Sequence, residues 1–161
     1  MAIKVGDRLP NATFRIMTAE GPKPRTVDEI FKGKTVALFG VPGAFTPTCS
    51  NIHVLSFVKN ADALKGKGIS AIAVTAVNDV FVMEAWKKAS SAVGKIDFLA
   101  DGNGEFAKAL DLAFDGSGNG LGVRSKRYSM LVDNGAVKKL NIEEAPGKCE
   151  LTSGQALLKQ L

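Results

Sequence analysis

Short apolar segments that alternate with amphipathic helical segments constrain the fold of this chain more than any other feature of its sequence. Thr35–Val41 and Ile69–Val77 are continuous apolar runs with many β-branched members, and Ile96–Ala100 is a shorter one. Such runs are typical of strands that are buried on both faces of a sheet. Apolar residues recur at helical spacing from about residue 48 to 65 and from about 79 to 90. This alternation predicts parallel strands joined by right-handed crossovers.

The last third of the chain adds antiparallel strands to this pattern. Asp133-Asn-Gly135 lies between the runs Tyr128–Val132 and Ala136–Ile142, and an Asn-Gly pair in that setting predicts a β-hairpin. Two edge strands, Ala12–Met17 and Arg25–Val27, are expected on either side of a turn at Gly21–Pro24. Helices are expected at Thr26–Phe31 and Gly104–Leu112, with a glycine-rich loop at Phe114–Gly122. Asn78 or Asp79 is expected to cap the helix that runs to about Ser90, and Thr152 or Ser153 to cap a final helix that ends at Leu161. The whole pattern predicts one α/β domain over residues 1–161, a thioredoxin-like sandwich with a central mixed β-sheet and helices on both faces.

Composition and charge argue against several function classes. Hydrophobic residues make up 45% of the 161 positions and charged residues 23%, as in ordinary globular domains. No apolar run approaches the roughly 18 residues of a membrane helix. The net charge of +5 is mild, the lysines are scattered, and one Tyr and one Trp offer few stacking platforms. We therefore expect no nucleic-acid partner and no membrane partner.

The N-terminus and the cysteine content bear on location. The first residues lack the apolar core and the small-residue cleavage site of a secretory signal. Two cysteines are too few for a disulfide scaffold. We therefore expect a cytoplasmic protein, in which cysteines are more often buried, ligating or catalytic than bridged.

Cys49 is the residue best placed for chemistry. It follows the buried strand Thr35–Val41, a Pro-Gly break and a short loop, and it lies in the first turn of the next helix. Unpaired N–H groups and the helix dipole favour a thiolate at that position. The carboxyl end of a strand is also where α/β sheets bind ligands. An inert buried cysteine is the alternative that position alone leaves open.

The segment Val41-Pro-Gly-Ala-Phe-Thr-Pro-Thr-Cys49 resembles the active-site loop of peroxiredoxins, Pro-x-x-x-Thr-x-x-Cys. The matching residues are Pro42, Thr46 and Cys49, and the wording is similar to the type II, or peroxiredoxin 5, branch. Further segments that resemble this branch follow in the same order: Val77–Val82 with Trp86, Phe98–Gly102, Gly120–Met130 and Val137–Glu143. The resemblance extends from about Ile3 to Leu161.

This resemblance implies a thiol-dependent peroxidase that reduces hydrogen peroxide and alkyl hydroperoxides. Cys49 would be the peroxidatic cysteine, which becomes a sulfenic acid. The Thr46 hydroxyl would orient the peroxide, since it can donate and accept, and Pro42 would shield the sulfur without adding a donor. The family pattern makes Arg127 the arginine opposite Cys49. Arg124 either assists or serves on the surface.

His53 is the only histidine and lies one helical turn after Cys49. A Cys-His pair as in thiol proteases is conceivable. A cysteine at a helix terminus beside an arginine needs no base, so we favour packing or hydrogen bonding over proton transfer. The branch normally continues His-x-Pro-Gly-aromatic, whereas this chain has His53-Val-Leu-Ser-Phe57. Because Leu55 and Ser56 replace Pro and Gly, we expect a helix without the usual kink.

Cys149 has two possible roles. In a subset of the branch, a C-terminal cysteine resolves the sulfenic acid as an intramolecular disulfide, and an ungapped match places that cysteine near Leu151. Cys149 could therefore resolve Cys49, or it could be a bystander while glutathione, glutaredoxin or thioredoxin acts as the external reductant. A disulfide needs Cα atoms within roughly 7 Å, which the sequence does not supply.

The resemblance also implies a homodimer. Apolar residues near Phe45, Phe81 and Trp86 are the candidates for its contact. We expect no metal and no bound cofactor, because one histidine and two distant cysteines do not make a zinc site. The competing hypothesis is a thioredoxin-like binding or redox-signalling module that relays oxidation to partners. The complete set of Pro42, Thr46, Cys49 and Arg127 favours the enzyme.

Overall fold

A mixed β-sheet forms the centre of the computed structural model, which describes residues 2–145 and 147–161. Within those residues, seven strands pair in the order β2-β1-β5-β4-β3-β8-β9, and β6 pairs with β7 in a separate ribbon. The strands are β1 Thr13–Thr18, β2 Gly21–Thr26, β3 Thr35–Gly40, β4 Ala71–Ala76, β5 Asp97–Ala100, β6 Ala113–Asp115, β7 Val123–Ser125, β8 Tyr128–Asp133 and β9 Ala136–Ile142. The pairs β3–β4 and β4–β5 are parallel, and the others are antiparallel.

Helices cover both faces of the sheet, as predicted. They are α1 Val27–Phe31, a π-helical turn Cys49–Val54, α2 Leu55–Lys59, α3 Ala61–Gly66, α4 Val80–Ala89, α5 Glu105–Ala109, a 3₁₀ turn Ser117–Asn119 and α6 Gly154–Leu158. Phe57, Trp86 and Leu157 pack on one face of the sheet, while Phe31 and Phe106 pack on the other. This arrangement is the predicted thioredoxin-like sandwich. No helix in the described part of the chain has the length and apolar character that crossing a membrane would require.

Side-chain caps fix where the helices begin. Thr26 and Glu29 form a reciprocal capping box at α1. Asp79 rather than Asn78 caps α4, since its side chain accepts the backbone N–H of Val82 at 2.8 Å. The amide oxygen of Asn78 accepts the backbone N–H of Ala44. Asn78 therefore binds the loop that follows β3 through its contact with Ala44.

Two expectations for surface segments are wrong. Gly21–Pro24 is part of strand β2 rather than a turn, because an edge strand tolerates proline on its unpaired side. The glycine-rich segment Phe114–Gly122 is not wholly loop. Its first residues continue β6, which pairs with β7 around the 3₁₀ turn.

The expected unkinked helix from Thr48 to Lys65 is also wrong. Residues Cys49–Val54 form a wider π-helical turn, and Asn60 separates α2 from α3. The Ser56 hydroxyl donates to the carbonyl of His53 at 2.6 Å, and such back-bonding bends helices. Ser56, which replaces the usual glycine, therefore favours a bend in the helix through its own hydrogen bond. π-Helical turns such as Cys49–Val54 are frequent at functional sites.

Candidate active site

The loop after β3 is held in place by backbone and side-chain hydrogen bonds. Ala44 N–H donates to Asn78 Oδ1 at 2.9 Å, and the Thr46 hydroxyl donates to the Gly43 carbonyl at 2.8 Å. Ser50 N–H donates to the carbonyl of Thr46 at 2.9 Å, so the helix begins after Thr46. Cys49 therefore lies in the first helical turn, as predicted, and its side chain is buried.

Arg127 contacts the sulfur of Cys49. Its Nη2 donates to Sγ at 3.1 Å, and the arginine is only 2% exposed. Arg127 directly precedes β8, whose first residue Tyr128 pairs with Gly40 at the end of β3. Sheet pairing thus places the guanidinium beside the loop that carries Cys49. A guanidinium is permanently charged, so it sets a fixed positive charge against the sulfur.

His53 is buried beside this arginine. Nδ1 lies 2.9 Å from Arg127 Nη1, and Nε2 lies 2.8 Å from the carbonyl oxygen of Thr152. Arginine only donates, so Nδ1 accepts and Nε2 carries the proton. Burial, and secondly the charge of Arg127, lower the pKa of His53 to about 3. The neutral ring has both nitrogens engaged, which agrees with a hydrogen-bonding role and not with proton transfer.

Pro42 and Trp86, two residues from the segments that resemble the family, are both buried. Pro42 lies seven positions before Cys49. Trp86 is fully buried and packs edge-on against Phe98, with the two ring centroids 5.3 Å apart. Its indole N–H donates to Ser50 Oγ at 2.9 Å. Trp86 is therefore not available for the expected dimer contact. Its indole instead braces the residue next to Cys49.

Comparison with known proteins decides the family. The family model described as Redoxin matches residues 4–158. Peroxiredoxin-2C of Oryza sativa subsp. japonica is 45% identical over 160 residues, covering 99% of this chain and 98% of the relative. The chain belongs to the peroxiredoxin family. Peroxiredoxin-2E, chloroplastic, of Arabidopsis thaliana is 46% identical and spans 99% of this chain and 70% of that protein.

A solved structure agrees with this assignment. Reduced Prx3 from Vibrio vulnificus in complex with hydrogen peroxide has a TM-score of 0.93, 48% identity and 98% coverage of each chain. Peroxiredoxins are thiol peroxidases, so the protein is a peroxide-reducing oxidoreductase rather than a binding module alone. The family and the fold confirm the thiol peroxidase that the resemblance implied.

Arg124, the second candidate arginine of this peroxiredoxin, contacts the loop. Its Nε donates to the carbonyl of Leu121 at 2.8 Å, and Nη1 donates to that of Val77 at 3.3 Å. A Cβ on Gly43 would lie 3.0 Å from Nη1, which shows how closely the guanidinium packs on the loop. Of the two arginines, Arg127 contacts the sulfur and Arg124 supports the surrounding backbone.

The C-terminal segment of the peroxiredoxin runs along the helix that carries Cys49. Thr48 Oγ1 donates to the carbonyl of Gly147 at 3.1 Å, and Gly154 N–H donates to Ser56 Oγ at 2.8 Å. Cys149 lies between these two contacts as a half-buried free thiol, with Sγ 3.8 Å from Thr152 Oγ1. Burial is the main cause that raises the pKa of Cys149.

Residues that bind this segment were missed by the sequence analysis. Glu143 accepts three hydrogen bonds from Leu151 and Thr152, and Ser56 holds the start of α6. Glu143 belonged to a segment that resembles the family, but nothing in its type or spacing indicated a contact eight residues away. Among the described residues, no group of three His, Cys, Asp or Glu side chains could hold a metal ion.

Proposed function

We propose that Cys49 is the peroxidatic cysteine of this thiol peroxidase. The observation that carries the proposal is the 3.1 Å contact between Arg127 Nη2 and Cys49 Sγ in a buried first helical turn. The fixed positive charge and the helix N-terminus both favour sulfur as a thiolate, which is the nucleophilic form.

The reaction that this arrangement supports is an in-line displacement on a peroxide. The thiolate sulfur of Cys49 attacks one peroxide oxygen, a sulfur–oxygen bond forms and the O–O bond breaks. The departing oxygen takes the electron pair and a proton and leaves as water or an alcohol, while Cys49 is oxidised to a sulfenic acid. The guanidinium of Arg127 stabilises the charge that moves onto the oxygens.

Thr46 and Pro42 prepare the site for that step. The Thr46 hydroxyl donates its own proton to the Gly43 carbonyl, which leaves its oxygen lone pairs to accept a hydrogen bond from the peroxide. Pro42 is buried and lacks an N–H, so it excludes water without competing for the thiolate. Arg124 supports the loop through the Val77 and Leu121 carbonyls.

We propose glutathione, glutaredoxin or thioredoxin as the source of electrons for the return to the thiol. A thiol condenses with the sulfenic acid, releases water and forms a disulfide, which a second thiol then reduces. The alternative resolving thiol is Cys149. Its raised pKa keeps it mostly a thiol at neutral pH, and its segment is tied to the catalytic helix, so both features favour slow resolution.

Intact mass under non-reducing conditions, after one equivalent of hydrogen peroxide, separates these routes. A gain of one oxygen supports an external thiol, and a loss of two hydrogens within one chain supports Cys149 as the resolving residue. If Cys149 is the resolving residue, Cys149→Ser should abolish the loss of two hydrogens. The variant should then show the gain of one oxygen. No mass change in the wild type, or the same change in Cys49→Ser, would refute Cys49 as the peroxidatic residue.

We also propose a homodimer whose contact includes Phe45 and Phe81. These side chains are 53% and 65% exposed, and the Ala44–Asn78 hydrogen bond keeps their segments together. Exposed aromatic side chains favour association. Sedimentation should detect a dimer that Phe81→Ser weakens, whereas Val93→Ser, at an equally exposed position, should not. A monomeric wild type would contradict the proposal.

A cytoplasmic location also remains a proposal. It is supported by the few cysteines, which are typical of proteins in a reducing compartment. A similar relative is named chloroplastic, so cell fractionation of the native host is the direct test.

A further inference from the structure

Glu143 directly follows β9 and binds the C-terminal segment. The residue is 6% exposed. Its Oε2 accepts hydrogen bonds from Leu151 N–H at 2.9 Å, Thr152 N–H at 2.9 Å and the Thr152 hydroxyl at 2.6 Å. Glu143 N–H also donates to the carbonyl of Arg127 at 3.0 Å. Glu143, which binds Thr152, is therefore also hydrogen-bonded through its backbone to Arg127, the arginine that contacts Cys49.

Thr152, which Glu143 holds in place, is in turn hydrogen-bonded to His53. Its side chain is fully buried, and its carbonyl oxygen accepts the Nε2–H of His53 at 2.8 Å. That bond fixes the tautomer, since a ring that donates from Nε2 has its lone pair on Nδ1. The imidazole is also held by Phe39, whose ring centroid lies 4.7 Å away.

His53 in turn constrains the guanidinium of Arg127. Nδ1 accepts from Nη1 at 2.9 Å, while Nη2 of the same group donates to Cys49 Sγ at 3.1 Å. A guanidinium is planar, so a contact that fixes one terminal nitrogen also fixes the direction of the other. The position of His53 therefore helps to set the direction of the bond to sulfur.

We infer that Glu143, Thr152 and His53 are positioning residues, which act in series to aim the Arg127 guanidinium at Cys49. The inference rests on the proposed peroxidatic role of Cys49. It accounts for a buried carboxylate, a buried threonine and a neutral histidine, none of which the displacement step itself uses. Substitution of Glu143 or Thr152 should therefore slow the reaction of Cys49 with peroxide, because it changes the position of His53.

The first experiment compares two substitutions of His53. His53→Asn can place an amide oxygen near the position of Nδ1 and keep the acceptor for Arg127, whereas His53→Gln reaches toward Nε2 and loses that acceptor. Both lose the imidazole ring and its packing on Phe39. The rate constant for peroxide should fall about fivefold or more in His53→Gln and should be partly rescued in His53→Asn. Equal rates in the two variants would overturn the inference.

The second experiment tests whether Glu143 acts through His53. Glu143→Gln should lower the rate about fivefold in the wild-type background and less than about twofold in the His53→Gln background, because residues in series are not additive. Glu144→Gln is the matched control, since it removes the same charge from an exposed neighbour. Additive losses, or equal effects of Glu143→Gln and Glu144→Gln, would contradict the series.

The two proposals fail in different ways. A wild-type protein that does not react with peroxide, or a Cys49→Ser variant that does, would refute the proposed function. A wild type that reacts through Cys49, with no rescue by His53→Asn and no coupling to Glu143, would refute the positioning series alone. Thermal unfolding of each variant identifies any that do not fold, and the His53 pair then decides without Glu143.

Discussion

Nη2 of Arg127 lies 3.1 Å from Sγ of Cys49, although 78 positions separate the two residues in the chain. The antiparallel pairing of β3 with β8 produces this contact, because Gly40 at the end of β3 lies opposite Tyr128 at the start of β8. The catalytic loop follows β3, and Arg127 precedes β8, so both reach the same end of the sheet. The topology that buries the core thus also joins sulfur and guanidinium.

Arg127→Lys should lower the rate constant for peroxide by about a hundredfold or more, on the scale of losing an oxyanion donor. A lysine ammonium is a compact charge and cannot reproduce the two-nitrogen contact with His53 and Cys49. Stopped-flow fluorescence can measure the rate, because the single tryptophan contacts Ser50 next to Cys49. Arg124→Lys should cost much less, and an equal loss would argue against the separate roles of the two arginines.

Thr46→Val should also slow the reaction by orders of magnitude while the fold stays intact. Valine has a similar shape but neither donates to the Gly43 carbonyl nor accepts from a peroxide. Thr46→Ser keeps the hydroxyl and should retain most of the rate. The same stopped-flow assay measures both variants, and near-normal turnover of the valine variant would remove Thr46 from the mechanism.

The catalytic loop was predictable from sequence because its functional residues are local. Pro42, Thr46 and Cys49 lie within one turn and one loop, so their spacing alone defines a recognisable motif. Arg127 was found only through family resemblance, since no local rule links residues that meet across a sheet. Glu143 was missed for the same reason, because a buried carboxylate acquires its role from the segment that folds over it.

The sheet was predictable where the hydrophobic periodicity of the sequence is strong. It was less predictable where turn-favouring residues such as proline lie within a strand. The Asn-Gly hairpin between β8 and β9 formed as expected. The two prolines of β2 indicated a turn, but an edge strand needs backbone pairing on one side only. The π-helical turn at Cys49 was missed because the local hydrogen bond from the Ser56 hydroxyl to the His53 carbonyl was not indicated by any pattern of residue types in the sequence.

Gly154→Ala should destabilise the protein by about 1–3 kcal/mol. An added Cβ would lie 2.5 Å from the carbonyl oxygen of Ser56 and 3.1 Å from Cα of Phe57, both backbone atoms that do not move easily. The close approach of α6 to α2 therefore requires glycine. Urea unfolding gives the free-energy change. Gly66→Ala is the control, since nothing lies within 4 Å of its added Cβ, and an equal loss there would contradict the packing argument.

Acid should destabilise the fold through His53, and His53→Asn should remove that sensitivity. Burial and the neighbouring Arg127 lower the pKa of His53 to about 3, whereas the unfolded chain has the usual value near 6.5. Below about pH 6.5 the unfolded state therefore binds a proton that the folded state excludes, so the free energy of unfolding falls as pH falls. The slope from this one group approaches about 1.4 kcal/mol per pH unit and ends near the folded pKa.

Urea unfolding of the wild type and His53→Asn between about pH 7 and pH 4 measures this contribution, because other titrating groups are common to both proteins. The difference in unfolding free energy should be constant above about pH 6.5, where the histidine is neutral in both states. Below that pH it should shift in favour of the variant, which has no histidine to protonate on unfolding. A difference that stays constant down to about pH 4 would mean that His53 takes up its proton in the folded protein, and the tautomer that orients Arg127 would then be wrong.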